Sequence, residues 1–194
     1  MRRSASLKDG TKVQLKIISL KDLKSLMKFF KSLPYVDRKY LRFDVTDKKK
    51  VEQRIMSFKS LNIFGIVAMI KDEIVAYGIL EPGTFDWIRS QAEIRVIVSR
   101  KYQQRGLGMI TIRELYDFAT NHDVEIINAK MMRPQIGARK IFRKLGFREE
   151  LLIPDYVKDQ ENHIQDLIVM TCDIKSFWAE LELIYKDSDW GRCR

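Results

Sequence analysis

Apolar and polar positions alternate in several short segments of the chain. In the clearest of them, residues 93–98, the apolar Ile94, Val96 and Val98 alternate with positions such as Arg95, and β-branched side chains suit a pleated strand. Alternation of this kind, or a short apolar run between turn residues, predicts seven strands, at residues 11–19, 63–70, 74–80, 93–98, 124–131, 147–153 and 163–173.

Other segments carry apolar residues at spacings of three and four, which is the period of a helix. In the run that ends at Thr120, Ile112, Leu115, Tyr116 and Ala119 fall on one face. The same period predicts five helices, at residues 20–33, 47–58, 109–120, 134–145 and 174–186.

Residues at the predicted helix ends agree with these assignments. Ser19, and either Thr46 or Asp47, can cap a helix start with a side-chain oxygen. Pro134 is expected at the first position of its helix, where the missing N–H costs nothing, and Gly146 is expected to end that helix.

The order of the elements is β-α-α-β-β-β-α-β-α-β-β, which predicts an α/β fold with one mixed sheet in one domain. Residues 1–10 are expected to form a flexible basic N-terminus, residues 11–173 the domain, and residues 174–194 an amphipathic helix with a mobile tail. We expect that helix to pack on its own sheet. A groove in a second subunit, which would make a homodimer, is the alternative.

Composition restricts the class of protein. A chain of 194 residues, 45% of them hydrophobic, can bury a substantial core. No apolar run is long enough to span a membrane, the N-terminus lacks an apolar signal core, and the two cysteines are expected to be free thiols, so a cytoplasmic protein is predicted. No Cys and His spacing of a metal site is present.

The formal net charge of +10 would suit a polyanionic partner. The basic residues are spread along the whole chain, however, and Lys48, Lys49 and Lys50 form the single run of three. The charge is therefore weak evidence for nucleic acid, and we do not expect a nucleic-acid partner.

A short basic loop with two glycines separates the strand at residues 93–98 from the helix that follows it. The first N–H groups of a helix have no intrahelical partner and carry partial positive charge, so they can bind an anion. Gly106 and Gly108 have no Cβ, which lets a phosphate approach the backbone closely. The Walker sequence is absent, and a lone Gly-x-Gly is too short for the dinucleotide fingerprint.

Two motifs together resemble those of one family. Gln103-x-x-Gly106-x-Gly108 after a strand resembles the acyl-CoA pyrophosphate loop of the GNAT acetyltransferases, Gln/Arg-x-x-Gly-x-Gly/Ala. The stretch from Ala138 to Phe147, Ala-Arg-Lys-Ile-Phe-Arg-Lys-Leu-Gly-Phe, is similar to the second cofactor helix of that family. The resemblance covers roughly residues 11–173 and implies a mixed, mostly antiparallel central sheet flanked by helices, with the C-terminal helix as an addition.

The resemblance also implies acetyl-CoA as acyl donor and an amine as acceptor. In the family, the strand corresponding to residues 93–98 lies beside the pantetheine, and a bulge separates it from the next strand so that its backbone can pair with the cofactor. The cofactor-binding residues implied by the two motifs and this strand are Val96, Ile97, Val98, Gln103, Gln104, Arg105, Gly106, Leu107, Gly108, Met109, Ala138 and Phe142.

Acyl transfer to an amine requires a base, and the resemblance suggests Glu93, acting directly or through water. A surface ion pair is the alternative interpretation of Glu93. Arg95 would share its strand face and could orient the Glu93 carboxylate or an acidic substrate.

The chain departs from the family where a tyrosine usually protonates the departing sulfur, because Phe142 stands at the matching position. Tyr102, Tyr116 and Tyr156 carry hydroxyl groups that could serve as the acid instead. Tyr156, predicted to lie in a turn-rich loop at residues 154–160, is our candidate acid.

Two classes of function remain open. The first is an N-acetyltransferase whose acceptor is a protein lysine, an N-terminus or a small amine, since the segment from Phe29 to Phe43 resembles that of bacterial protein-lysine acetyltransferases. The second is a non-catalytic module that binds acyl-CoA or another protein on the same scaffold.

Overall fold

The structure, a computed structural model, describes residues 2–187 and contains one eight-stranded sheet with the strand order β1-β2-β3-β4-β5-β6-β8-β7. The strands are β1 (Arg2–Ser6), β2 (Lys12–Ile17), β3 (Phe64–Ile70), β4 (Glu73–Pro82), β5 (Gln91–Val98), β6 (Ile126–Met132), β7 (Arg148–Lys158) and β8 (Ile164–Asp173). The helices are α1 (Leu23–Ser32), α2 (Tyr35–Arg38), α3 (Lys48–Ser60), α4 (Leu107–Thr120), α5 (Ile136–Lys144) and α6 (Ile174–Asp187).

The sheet is mixed and mostly antiparallel, as predicted, because β5 and β6 form the one parallel pair in the described sheet. That pairing is short and joins only Gln91–Glu93 to residues 126–128. Beyond Glu93, residues 94–98 pair with β4 alone, so β5 and β6 diverge.

The divergence confirms the predicted separation of the two strands, but the predicted bulge is not its cause. β5 keeps an unbroken register with β4 from Ala92 to Val98. The register shifts recorded among the described strands lie in the β3–β4 and β7–β8 pairs instead.

The predicted helical faces pack on both sides of the sheet. Ile112, Leu115 and Ala119 of α4 are buried in one cluster, and the apolar residues of α1 and α3 are buried in a second. Gly78 of β4 makes the approach of α4 possible, because a Cβ there would lie 2.8 Å from Thr111 Cγ2.

The N-terminus differs from the prediction of a flexible segment. Arg2–Ser6 pairs antiparallel with β2, and Arg3 forms ion pairs with Glu114 and Asp117 of α4. The backbone ladder and these ion pairs order the strand, and neither produces an apolar pattern that a sequence would reveal.

Two other boundaries also need correction. The predicted loop at residues 154–160 is mostly strand, because β7 continues to Lys158 across a register shift between Ile153 and Val157. Pro134 is not the first helical residue, since α5 begins at Ile136 with Gln135 as its N-cap.

The helix predicted at residues 174–186 is present as α6, and its Phe177 is fully buried against the rings of Tyr116 and Phe147. This end of α6 therefore packs on its own domain. The predicted mobile tail at residues 188–194 lies outside the described residues. None of the helices within residues 2–187 is both long and apolar enough to cross a bilayer.

Candidate active site

The loop between β5 and α4 has the backbone of an anion site. Gln104 and Gly106 both have positive φ, +61° and +86°, and Gly106 is the N-cap of α4. Leu107 is fully buried and fixes the first turn of the helix in the core. No acceptor within residues 2–187 reaches the N–H groups of residues 107–109, so these donors remain available to a ligand.

Side chains brace this loop at several points. Gln103 Nε2 donates a hydrogen bond to the carbonyl oxygen of Val98 over 3.1 Å. Arg100 makes a bidentate ion pair with Asp37 of α2, at 2.8 and 2.9 Å, and Arg105 contacts Asp9 at 3.1 Å. The two arginines of the loop are therefore exposed but already paired with carboxylates.

A cavity of about 130 Å³ opens on the face of the sheet where β5 and β6 diverge. Val96, Ile97, Ala138 and Phe142, four of the predicted cofactor residues, line it together. Val98 continues from this lining to Gln103 of the anion loop. Residues 96–98 of β5 thus connect the anion loop, at one end, with the helix of the second motif, at the cavity. This arrangement fits a cofactor that extends from the loop into the cavity.

Glu93 lies beside the cavity, with 12% of its side chain exposed, in a group of charged residues. Its Oε1 accepts hydrogen bonds from Arg42 and, over 3.1 Å, from Arg95 Nε. Lys130 Nζ lies 3.6 Å from Oε2. Because Oε1 already has two donors, Oε2 is the oxygen with room for a further proton donor.

Arg95 connects Glu93 to a second carboxylate. Arg95 and Arg54 both donate to Oε2 of Glu81, the residue opposite Glu93 on β4. Burial lowers the pKa of Arg95, and the positive charge of Arg42 lowers it further. Burial alone would raise the pKa of Glu81, but the hydrogen bond from Arg54 and the charge of Arg95 hold it below its usual value.

The tyrosines near the cavity are not the ones expected. Tyr156 lies on β7, an edge strand three strands from β5, and is 63% exposed, so it is not part of the cavity lining. Tyr40 and Tyr77 line the cavity instead, and burial raises the pKa of Tyr77 to about 12. The ring of Phe142 packs edge-on against Phe147, with ring centroids 4.9 Å apart.

Sequence analysis missed part of this site. Arg54, Tyr77 and Lys130 belong to three different elements, and no local motif groups them. The pairing register of β4 with β5 is the feature that could have indicated part of the site, because it places Glu81 opposite Glu93. A register cannot be fixed before the hairpin ends are known.

A separate polar cluster fixes the β7–β8 connection to α2. Asp159, Glu161 and His163 have possible metal-ligating atoms within 4.8 Å of one another. Lys39 Nζ lies 2.8 Å from Glu161 and 3.7 Å from Asp159, so both carboxylates already share one ammonium group. The cluster is outside the cavity lining, and we interpret it as a structural clamp.

Comparison with solved structures shows how widespread this fold is. The GNAT domain of S. lividans PAT is 17% identical with a TM-score of 0.71, over 89% of this chain and 96% of that one. The ribosomal-protein-S5-alanine acetyltransferase of Vibrio fischeri is 15% identical with a TM-score of 0.73, over 90% and 98% of the two chains.

The putative acetyltransferase yncA of Salmonella typhimurium, solved with acetyl-CoA, is 18% identical with a TM-score of 0.70, over 84% of this chain and 94% of that one. Identities this low show a shared fold. No curated protein sequence matches the chain.

The family is shown by the sequence itself. A model of the acetyltransferase (GNAT) domain matches residues 15–168, most of the chain, and this range includes both motifs, β5 and the cavity residues. The chain therefore belongs to the GNAT acetyltransferase family, whose co-substrate is acetyl-CoA.

Proposed function

We propose that the protein is an N-acetyltransferase that transfers an acetyl group from acetyl-CoA directly to a primary amine in a ternary complex. The observation that carries this proposal is the divergence of β5 from β6 beside a cavity that is continuous with the anion loop. Residues 94–98 leave one backbone edge unpaired by a strand, and the N–H groups of residues 107–109 lie beyond it. These groups suit an extended ligand with a phosphate at one end.

Acetyl-CoA supplies an activated thioester carbonyl. In the transfer, the amine nitrogen bonds to the acyl carbon, the carbon–sulfur bond breaks, the amine loses a proton and the thiolate gains one. We assign the first proton to Glu93 Oε2 through a water molecule, since Oε1 is occupied by Arg42 and Arg95.

The proton that the departing thiolate gains needs no dedicated acid, because the thiolate of a thiol with a pKa of about 8.5 is a good leaving group. Phe142 has no hydroxyl, and the high pKa of Tyr77 makes its hydroxyl a hydrogen-bond donor rather than a proton source. We therefore assign this proton to solvent or to Tyr40, which also lines the cavity.

The acceptor is proposed as a primary amine on a small molecule or a protein. Some proteins of similar fold are named for ribosomal-protein alanine acetylation, so an N-terminus belongs in the first screen beside lysine and small amines.

Acetyl-CoA and CoA are expected to raise the melting temperature, and ATP, a polyphosphate control, to raise it little. A ligand at 100 times its Kd stabilises the folded state by about 2.7 kcal/mol, which is roughly 5–10 °C for a domain of this size. A thermal-shift titration measures this. An equal rise with ATP would mean a general anion site. Binding of acetyl-CoA without acetylation of any amine tested would favour the non-catalytic acyl-CoA-binding module.

Gly106→Ala is expected to weaken acetyl-CoA binding about 10-fold and to destabilise the protein by about 1–2 kcal/mol. The φ of +86° is unfavourable for alanine, and its relaxation would turn the N–H groups of residues 107–109 away from the phosphate. Calorimetric titration and thermal unfolding measure the two effects.

Gly108→Ala is the matched control. Its φ is not positive, and the new Cβ would lie 3.6 Å from Val98 Cγ2, which is ordinary contact. Alanine within a helix should add about 0.5–1 kcal/mol of stability. If both variants bind acetyl-CoA like the unchanged protein, the start of α4 does not hold the phosphate.

A further inference from the structure

The charge on the cavity wall is of one sign. Arg42, Arg54, Arg95 and Lys130 line the cavity, and within residues 2–187 no aspartate or glutamate does. These cations come from four separate parts of the fold, namely the segment after α2, α3, β5 and β6. They converge on one cavity that is otherwise mostly apolar.

The neighbouring carboxylates do not balance these cations. Among the described residues, Glu81 and Glu93 are the two carboxylates that contact them, so four positive charges share two negative ones. The contacts use Nη2 of Arg42 and of Arg54, and Nε and Nη2 of Arg95. A guanidinium group has five N–H donors, so each arginine keeps donors for a further acceptor.

The excess charge is separate from the phosphate loop. Arg95 precedes Ser99, the residue before the loop, by four positions, or about 13 Å of extended strand. The loop has its own cations, Arg100 and Arg105. The cations of the cavity are therefore far from the phosphate of acetyl-CoA. We expect them to face the acceptor amine, which enters where β5 and β6 diverge.

A cationic cavity selects among amines. It repels an ammonium group and attracts an anion, and in a half-buried site these effects are larger than in water. It also lowers the pKa of a bound amine, because a nearby like charge disfavours the charged form. The neutral amine is the nucleophile, so the same charges that bind an anionic substituent help to prepare the reacting group.

We propose that the acceptor is an amine that carries a carboxylate a few bonds from its nitrogen, with the carboxylate bound by the arginines and Lys130 that line the cavity. This proposal rests on the proposed acetyltransferase function. It places the selectivity of the enzyme in side chains outside both family motifs.

The test compares three amines of equal chain length with the full-length protein and acetyl-CoA. They are 4-aminobutanoate, its neutral amide and the cationic 1,4-diaminobutane. We expect kcat/KM to be at least about 10-fold higher for the acid than for the amide, since a charge-assisted hydrogen bond is lost with the amide, and lowest for the diamine. Equal or reversed preference overturns the proposal while leaving acetyl transfer itself established.

Binding provides a readout that does not depend on turnover. The complex with CoA, which has no acetyl group to transfer, is titrated with the acid and with the amide. Binding of the acid at least about 10-fold tighter supports the anion site even if no amine is acetylated. Equal affinity overturns it, whereas a failure to bind CoA would count against the proposed function instead.

Lys130→Gln locates the site. Lys130 contacts Glu93 only at 3.6 Å, so its loss disturbs the ion pairs least. We expect the ratio of kcat/KM for the acid to kcat/KM for the amide to fall at least about threefold, because one of the cations that bind the carboxylate is lost. Lys24→Gln, at an exposed position on α1, is the control and should keep the full preference. An unchanged ratio in the Lys130 variant would overturn the assignment of Lys130 to the carboxylate site.

Discussion

Replacing Glu93 with glutamine is expected to lower kcat for acetyl transfer about 100-fold or more, with little change in acetyl-CoA binding. A positioned base contributes roughly 10²- to 10⁴-fold, and glutamine cannot accept the proton that Oε2 is proposed to take. In our proposal the phosphate of acetyl-CoA binds the loop at the other end of β5 and the rest of the molecule pairs with backbone groups, so its affinity should depend little on this carboxylate. Steady-state kinetics and calorimetric titration separate the two quantities.

Glu81→Gln tests whether the effect is one of chemistry or of the ion-pair network. Glu81 also accepts from Arg95 and lies opposite Glu93 on β4, so its loss perturbs the same arginine. We expect it to lower kcat less than 10-fold. If both variants lose activity equally, Glu93 serves to hold Arg42 and Arg95 in place, and the amine loses its proton to water.

The pH profile gives an independent check on Glu93. If a carboxylate is the base, the acidic limb of the profile for kcat should disappear in the Glu93→Gln variant, while the Glu81→Gln variant should retain it. If the acidic limb persists in both variants, it reflects the acceptor amine and not Glu93.

The parts of the site that could be predicted from the sequence are those built from consecutive residues. The anion loop depends on Gly106 and Gly108 at fixed distances after a strand, and the second motif spans one helix from Ala138. The family resemblance of these local motifs implied Val96, Ile97, Ala138 and Phe142 as cofactor residues, and all four lie on the cavity wall. The core faces of the helices were predictable from local spacing.

The remaining features depend on contacts between distant segments. Arg42 and Glu93 are 51 positions apart, and their contact requires the register of β5 and the position of the segment after α2. Tyr156 was misplaced because β7 continues through Pro154, where a register shift accommodates a residue that usually ends a strand. β1 was missed because an edge strand with polar side chains has no apolar periodicity.

Phe177→Ala is expected to lower the free energy of unfolding by about 3–5 kcal/mol, the largest effect on stability that we predict. Its ring is fully buried between Tyr116 of α4 and Phe147, with ring centroids 5.2 and 5.5 Å away. Truncation leaves a cavity in the cluster that holds α4 on the sheet, and tightly packed neighbours cannot fill it. Denaturant unfolding measures the change.

Leu183→Ala on the same helix distinguishes the two interpretations of α6. Leu183 is 55% exposed, so in a helix that packs only on its own domain its loss should change stability by no more than about 0.5 kcal/mol. If α6 instead fills a groove of a second subunit, Leu183→Ala should weaken dimerisation, and the melting temperature of the unchanged protein should rise with protein concentration. The burial of Phe177 by residues of its own chain leads us to expect the first result, with Phe177→Ala destabilising at every concentration because the cavity it creates lies within one domain.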